Sequence, residues 1–496
     1  MLFNSLDFLL FFPVVTLLYF VIPVRFRHLW LLAASYYFYM CWSPRYALLM
    51  LFSTAVTWLG GRLIVRAGRL SDEKKRRRNR KSALIFSLVA NLAVLCVFKY
   101  LHFIFDNIVY AISLFGGTFT PPKIDLLLPV GISFYTFQAL GYTIDVYRGD
   151  IDAEPNFLRY ALFVSFFPQL VAGPIERSGS LLRQLRTEQR FDGARVRAGL
   201  VRMGWGLFMK MVIADRLAYF VDTVYNAPEG QSGSAVLLAS LFFMFQVYCD
   251  FGGYSNIAIG AAQVMGVKLM TNFHGPFLAT SVRDFWRRWH ISLSSWFRDY
   301  VYFPLGGSRK GKWRSMLNTM IVFLLSGLWH GAAWHYVFWG GMHGLFLNIG
   351  RLTLPARKKL RAVLHIREDG TLHRAMSLCV TFVLLAATYV LFRANTMHDI
   401  GVLFRAMFCD FRLSALAGEG LFALGLDRAD FTVALAALGV LIVCDVLAEK
   451  RDLVEALERQ ALPLRWTAYL LLAFTIIIFG IYGPKYESAA FIYFAF

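Results

Sequence analysis

Residues 318–346 read NTMIVFLLSGLWHGAAWHYVFWGGMHGLF, a long apolar segment that carries His330, His335 and His343. A helix of about 20 mostly apolar residues spans the hydrocarbon core of a bilayer. The segment therefore predicts a membrane-embedded helix. Its histidines are unusual, because ionisable side chains inside a membrane are costly and often functional.

The composition extends this prediction to the whole chain. Of 496 residues, 58% are hydrophobic and only 17% are charged, below the roughly 25% typical of soluble domains. Because no polar linker interrupts the apolar runs, we expect one all-α, polytopic membrane domain over residues 1–496. Its core would be residues 124–350, with C-terminal helices in 351–496.

We expect roughly 11 to 13 crossings or partial crossings. The clear candidates are residues 8–24, 29–50, 47–65, 82–98, 316–329, 375–391, 431–447 and 467–481. The less regular candidates are residues 124–146, 157–171, 200–220, 235–248 and 254–270. Residues 1–23 lack a basic start and a small-residue cleavage site, so we interpret them as a retained helix.

The formal charge of +20 lies mostly in short loops, at residues 69–81, 351–361 and 449–465. Such loops mark the cytoplasmic side and contact anionic headgroups, so we predict membrane lipid and no nucleic acid as a partner. The less basic residues 395–430 would then lie outside. The six cysteines form no CxxC pair, which indicates free thiols.

Two segments combine helix breaks with polar residues. Residues 124–175 contain Pro129, Pro168 and Pro174, with Gln138, Gln169, Asp145 and Glu176 in or beside the breaks. They predict either cavity walls or ordinary kinks with polar caps. Residues 245–260 place Asp250 among apolar residues, where it either positions a catalytic group or holds a helix end through an arginine.

Residues 272–350 begin with interleaved aromatic and basic residues rather than a long apolar run. We expect short helices at the membrane interface, with Trp286, Trp289 and Trp296 at headgroup depth. Four arginines form a candidate surface for a phosphate-bearing ligand or for lipid headgroups. They are Arg283, Arg287, Arg288 and Arg298.

His330 is the strongest candidate for chemistry. Trp329 and Trp334 flank it, and small residues follow it directly. A neutral imidazole can act as a general base near neutral pH, although a hydrogen-bonded packing role is the alternative. The spacing to His335 and His343 does not suit a helical metal pair, so we predict no metal.

The motifs WRRWH at 286–290 and LWHGAAW at 328–334 together resemble the signature of the membrane-bound O-acyltransferase (MBOAT) family. Five further stretches resemble its bacterial alginate O-acetylation branch. They are MLFNSLDFLLFFPVV at 1–15, LPVGISFYTFQALGYTIDVYRG at 128–149, FFPQLVAGPIER at 166–177, YCDFGGYSNIAIG at 248–260 and FIYFAF at 491–496. The last departs from the FIYFQF that this branch leads us to expect.

The resemblance implies a ring-like bundle with a central tunnel in the bacterial inner membrane. Acetyl-CoA would serve as a donor substrate from the cytoplasm, with no bound cofactor. The acetyl group would pass to an exported polysaccharide through a periplasmic SGNH-hydrolase-like partner and the synthesis and export machinery. The acceptor could be alginate, cellulose, another exopolysaccharide or peptidoglycan.

The resemblance also assigns roles to residues. His330 takes the position of the family's catalytic histidine, and His290 takes the second signature position, which is Asn or His among relatives. The arginines around 283–298 would bind the CoA phosphates. We further expect supporting or tunnel-lining roles for Asp250, Trp329, Trp334, Gln169 and Tyr254.

In the leading hypothesis, His330 takes the proton of an acceptor hydroxyl or carries the acetyl group itself, and His290 orients it or stabilises the oxyanion. Two alternatives remain. One is D-alanyl transfer to teichoic acid from a carrier protein. The other is a transporter or flippase without acyl-transfer chemistry, which broken helices and polar groups would also fit.

Overall fold

The computed structural model describes residues 1–122, 124, 126–171, 173–367, 370–483 and 491. Every regular element in those ranges is helical, which confirms the predicted all-α class. By internal packing the chain divides into two units. The first comprises Met1–Met203 and Ile257–Met270, and the second comprises Gly204–Asn256 and Thr271–Phe496. The single domain over 1–496 stays a prediction.

The first unit contains the N-terminal helices and the start of α10. The helices are α1 (Leu6–Val21), α2 (Val24–Met40), α3 (Pro44–Gly68), α4 (Glu73–Leu95), α5 (Leu101–Ser113), α6 (Ile132–Arg148), α7 (Phe157–Ser165), α8 (Phe167–Leu170), α9 (Ser178–Arg186) and α10 (Gly193–Leu207). A π-helical turn, Cys96–Tyr100, joins α4 to α5.

The second unit contains the remaining helices, except for the end of α12. They are α11 (Asp215–Tyr225), α12 (Gly233–Val264), α13 (Val282–Arg288), α14 (Ile291–Phe297), α15 (Lys312–His330), α16 (Trp334–Leu352), α17 (Leu354–Val363), α18 (Thr371–Arg393), α19 (Met397–Cys409), α20 (Glu419–Phe422), α21 (Arg428–Ala448), α22 (Leu453–Glu458) and α23 (Leu462–Phe479). Two π-helical segments, Phe208–Ala214 and Arg298–Tyr302, and two short 3₁₀ turns, Pro276–Leu278 and Leu413–Leu416, complete it.

Six helical segments among the described residues are long and apolar enough to cross a membrane. They are Pro44–Gly68, Glu73–Ser113, Gly233–Val264, Thr371–Arg393, Arg428–Ala448 and Leu462–Phe479. Other predicted crossings are shorter or interrupted helices, such as residues 157–171, which form α7 and α8 on either side of Phe166. Candidate 235–248 and most of candidate 254–270 instead form one helix, α12, which continues through Gly252 and Gly253 and ends at Val264.

Polar side chains of the breaks in the first unit bind its backbone and neighbouring side chains. The side-chain amides of Gln138 and Gln169 both donate to the carbonyl of Phe163, at 2.6 and 2.9 Å. Asp145 accepts from the hydroxyl of Ser178 at 2.7 Å. These contacts satisfy polar groups that would be costly to leave unpaired in an apolar surrounding.

The segment 318–346, expected as one helix, forms two helices with a turn between them. α15 ends at His330, and Gly331 and Ala333 are extended before α16 begins at Trp334. The helices then pack so closely that a Cβ on Gly327 would lie 2.2 Å from the Tyr336 carbonyl oxygen, and one on Gly340 would lie 2.1 Å from that of Phe323. Two facing glycines therefore permit the helical hairpin that ends at His330.

We expect Gly340→Ala to weaken this hairpin, because the added methyl group would overlap backbone that cannot move aside. The cost should be about 1–3 kcal/mol of stability, seen as a lower thermal midpoint of the purified protein in detergent. Gly439→Ala in α21 is the matched control, since its Cβ would meet nothing within 4 Å. Equal midpoints for the two variants would contradict the close packing.

Candidate functional site

His330 occupies the last position of α15 and is buried in an aromatic cluster of the second unit. Its ring centroid lies 5.0 Å from those of Trp329 and Trp339 and 5.4 Å from that of Phe392. These neighbours come from α15, α16 and α18. The rings restrict the rotation of the imidazole and exclude bulk solvent, so a proton transfer at His330 would take place in a low-dielectric surrounding.

His290 lies beside His330, as the paired motifs predict. The two ring centroids are 6.5 Å apart, and that of His290 is also 5.8 Å from Trp329. His290 is fully buried and precedes α14 in the left-handed conformation, with φ 44° and ψ 53°. Such a conformation costs a non-glycine residue about 1–3 kcal/mol and often marks a functional position. At this separation, two imidazoles can contact one small reacting group.

A cavity of about 680 Å³, which we call the polar cavity, adjoins the end of α15. Gly331, Ala332 and Ala333, which directly follow His330, form part of its wall. Its polar lining includes Lys210, Asp215, Asp222, Asn226, Gln246, Asp250, His335, Arg393 and Asn395. A Cβ on Gly331 would lie 2.1 Å from the Tyr336 ring, so the wall has no room for a side chain at this position.

Lys210 holds two carboxylates together in the polar cavity. Its ammonium lies 2.8 Å from Asp215 Oδ1 and 2.6 Å from Asp250 Oδ1, and all three side chains are almost fully buried. The π-helical segment Phe208–Ala214 carries Lys210, and such distortions are frequent at functional sites. The partner of Asp250 is therefore a lysine rather than the predicted arginine. The position of Lys210 within the apolar run 200–220 is the sequence signal that could have indicated this ion pair.

A second cavity, of about 540 Å³, contains most of the predicted donor-binding arginines. Arg283, Arg287 and Arg298 line it together with Arg351, and we call it the arginine cavity. Ser326, one helical turn before His330, also lines this cavity. His330 therefore lies, along the hairpin, between residues that line the arginine cavity and residues that line the polar cavity.

The fourth predicted arginine, Arg288, has a different environment. Its guanidinium donates to Glu449 at 2.5 and 3.1 Å and lies 3.2 Å from Asp284. The hydrogen bonds from Arg288 hold the pKa of Glu449 below its usual value. These contacts indicate that Arg288 joins α13 to the end of α21 rather than lining the arginine cavity.

The other predicted site residues occupy varied positions. Trp329 is buried beside both histidines, and the Tyr254 ring lies 5.6 Å from the Lys210 ammonium. Trp334 is half exposed and packs against Phe338. Gln169 belongs to the first unit. Of the closing FIYFAF, only Phe491 is among the described residues, and its ring packs 4.5 Å from Tyr254.

His343 is a further buried histidine near this site, and the prediction did not include it. Its Nδ1 accepts a hydrogen bond from Trp286 Nε1 at 3.3 Å, and its ring lies 4.8 Å from Trp339. Trp286 lines the arginine cavity, and Trp339 contacts His330. His343 therefore fixes the orientation of two rings of the site.

Comparison with known proteins gives one family and several relatives. The profile of the membrane-bound O-acyltransferase family matches residues 150–388. A probable alginate O-acetylase of Pseudomonas putida is 36% identical over 515 residues, covering 100% of both chains. A peptidoglycan O-acetyltransferase of Helicobacter pylori is 32% identical, covering 80% of this chain and 78% of that protein. A teichoic acid D-alanyltransferase of Bacillus subtilis is 28% identical, covering 56% and 71%.

We expect Lys210→Met to destabilise the second unit by about 3–5 kcal/mol, because it leaves two buried carboxylates without their cation. The thermal midpoint and the monodisperse fraction of the purified protein should both fall. Removing the carboxylate charges as well, in Lys210→Met/Asp215→Asn/Asp250→Asn, should restore much of the loss. The exposed Lys359 provides the control, Lys359→Met. A wild-type midpoint for Lys210→Met would refute the structural importance of the cluster.

Proposed function

The chain belongs to the membrane-bound O-acyltransferase family, and we propose that it transfers the acetyl group of acetyl-CoA across the bacterial inner membrane for O-acetylation of an exported polysaccharide. It is an O-acyltransferase and a multi-pass membrane protein. The observation that supports transfer from acetyl-CoA across the membrane is the pair His290 and His330. Residues just before His330 line the arginine cavity, and residues just after it line the polar cavity.

The arginine cavity suits an anionic, phosphate-bearing acyl donor such as acetyl-CoA. Guanidinium groups bind phosphate oxygens through paired, charge-assisted hydrogen bonds. Arg283, Arg287 and Arg351 supply three such groups around one space, and Trp286 and Phe323 supply an apolar part of its lining. A chain that binds its phosphates here could extend its thioester toward Ser326 and the end of α15.

The polar cavity suits the acceptor, because its lining combines carboxylates and amides that hydrogen-bond a hydroxyl group. In the proposed reaction, His330 takes the proton of the acceptor hydroxyl while the hydroxyl oxygen attacks the thioester carbonyl carbon. The carbon–sulfur bond then breaks, and the CoA thiolate receives the proton. His290 stabilises the charge that develops on the carbonyl oxygen.

The distribution of charge supports the proposed orientation. Arg351, in the arginine cavity, begins the basic stretch 351–361, whereas Asn395, in the polar cavity, begins the less basic stretch 395–430. Basic loops mark the cytoplasmic side, so the donor would enter from the cytoplasm and the acceptor from outside. A periplasmic SGNH-hydrolase-like partner would then pass the acetyl group to the polysaccharide during its synthesis and export.

The names of the relatives favour acetyl transfer over the alternatives. The whole-length relative is named a probable alginate O-acetylase, whereas the D-alanyltransferase matches 56% of this chain. Alginate is therefore the first polysaccharide to test. A transporter without group transfer would move its substrate without forming an acetyl ester, so release of free CoA together with a labelled ester separates the two classes.

We expect His330→Ala to lower acetyl transfer by roughly a hundredfold or more, since it removes the proposed general base. The measurement is transfer of label from radiolabelled acetyl-CoA to alkali-labile esters by the purified, monodisperse protein with its acceptor. His398→Ala is the control, because the His398 side chain is 78% exposed. A His330→Ala protein that transfers acetyl at the wild-type rate would remove His330 from the mechanism.

We expect Arg287→Ala to raise the KM for acetyl-CoA by roughly tenfold, because a charged hydrogen bond contributes about 1.5–3 kcal/mol, and to change kcat much less. Acetyl-pantetheine lacks the nucleotide phosphates, so the substitution should have little effect on its KM. Arg314→Ala, an exposed arginine outside the cavity, is the matched control. Equal effects of Arg287→Ala on both donors would contradict a phosphate contact.

A further inference from the structure

The charges around the polar cavity restrict the kind of acceptor that can enter it. Its lining carries three carboxylates, Asp215, Asp222 and Asp250, and two cations, Lys210 and Arg393. We infer that the polar cavity is a binding site for an uncharged alcohol and that its carboxylates exclude acceptors which themselves carry carboxylates. This inference rests on the proposed function and adds a selectivity to it.

Both cations of the lining already bind carboxylates. The Lys210 ammonium already contacts Asp215 and Asp250. The Arg393 guanidinium donates to three groups. They are Asp222 Oδ1 at 2.6 Å, Asn226 Oδ1 at 3.1 Å and Asn395 Oδ1 at 3.0 Å. A carboxylate entering the cavity would compete with these contacts for the two cations.

The acidic side chains add to this penalty. A ligand carboxylate would lose hydration and would meet three aspartates, of which Asp215 and Asp250 are buried and Asp222 is half exposed. An uncharged alcohol has no such cost. It can donate its hydroxyl proton to a carboxylate or accept from the amides of Asn226, Asn395 or Gln246.

The selectivity has a direct consequence for acetylation of a uronic acid polymer. Each unit of such a polymer carries a carboxylate, so the polymer would be a poor direct acceptor at this cavity. An uncharged hydroxyl, either a serine side chain of a protein partner or a neutral sugar, would receive the acetyl group first. The serine and the neutral sugar both offer an uncharged hydroxyl group, and the acceptors compared in the experiment distinguish them.

The experiment compares matched acceptors with the full-length protein in phosphatidylcholine nanodiscs. The acceptors are a neutral mannose trisaccharide, the corresponding mannuronate trisaccharide and an uncharged seryl peptide, each supplied with radiolabelled acetyl-CoA. We expect the wild type to prefer an uncharged acceptor by about tenfold or more in kcat/KM. The faster of the two uncharged acceptors identifies the source.

Asp222→Asn tests the cause of the preference, because it removes one negative charge at the cavity and keeps a side chain that Arg393 can bind. We expect it to narrow the ratio between uncharged and uronate acceptors by roughly two- to fivefold, because Asp222 is half exposed and water screens its charge. Asp410→Asn is the matched control, since Asp410 also pairs with an arginine, Arg412, at 2.8 Å but does not line the cavity. It should leave the ratio unchanged.

Saturation-transfer NMR of the same trisaccharides and peptide gives the binding preference independently of catalysis. Equal use or equal binding of the uronate and uncharged acceptors by the wild type would overturn the inference. The inference would also fail if Asp222→Asn and Asp410→Asn reduced the ratio of uncharged to uronate acceptor use by the same factor. If no acceptor received acetyl, the proposed function would be overturned. The selectivity would still be tested, because the NMR binding ratios do not depend on acetyl transfer.

Discussion

The close approach of α15 and α16 at Gly327 and Gly340 is the constraint on which the site depends. A larger side chain at either position would overlap the facing backbone, so the two helices could not pack this closely. The turn after His330 gives the histidine a protected position with cavity-lining residues before and after it. The same packing brings Trp339 against His330 and His343 against Trp339. Backbone packing thus places the reactive group and its aromatic surroundings together.

Much of the fold and part of the site could be predicted from the sequence, because both depend on strong local signals. Long apolar runs predicted a helical membrane protein, and the motifs around His290 and His330 predicted a histidine pair that the structure brings within 6.5 Å. Short basic and aromatic stretches predicted the interrupted helices of residues 282–302, and three of the four arginines line one cavity.

The remaining features depend on contacts between distant segments. The pairing of Lys210 with Asp250 joins two helical segments, and apolar periodicity carries no information about which polar side chains meet. Arg288 looked equivalent to its neighbours in sequence, yet Glu449, far along the chain, determines its role. The sequence does not predict the break after His330, because Gly331–Ala333 is a segment of only three small, apolar residues. Composition alone does not distinguish a turn of this kind from a continuing helix.

The backbone at His290 has a consequence for which residues can occupy this position. A positive φ is tolerated best by glycine and, among residues with a side chain, by Asn, Asp and His. The family resemblance gives Asn or His at the second signature position, and both belong to that small group. Local geometry therefore limits the choice before any chemistry is considered. Within that limit, the two residues share the ability to offer a hydrogen-bond donor without carrying a fixed charge into a buried site.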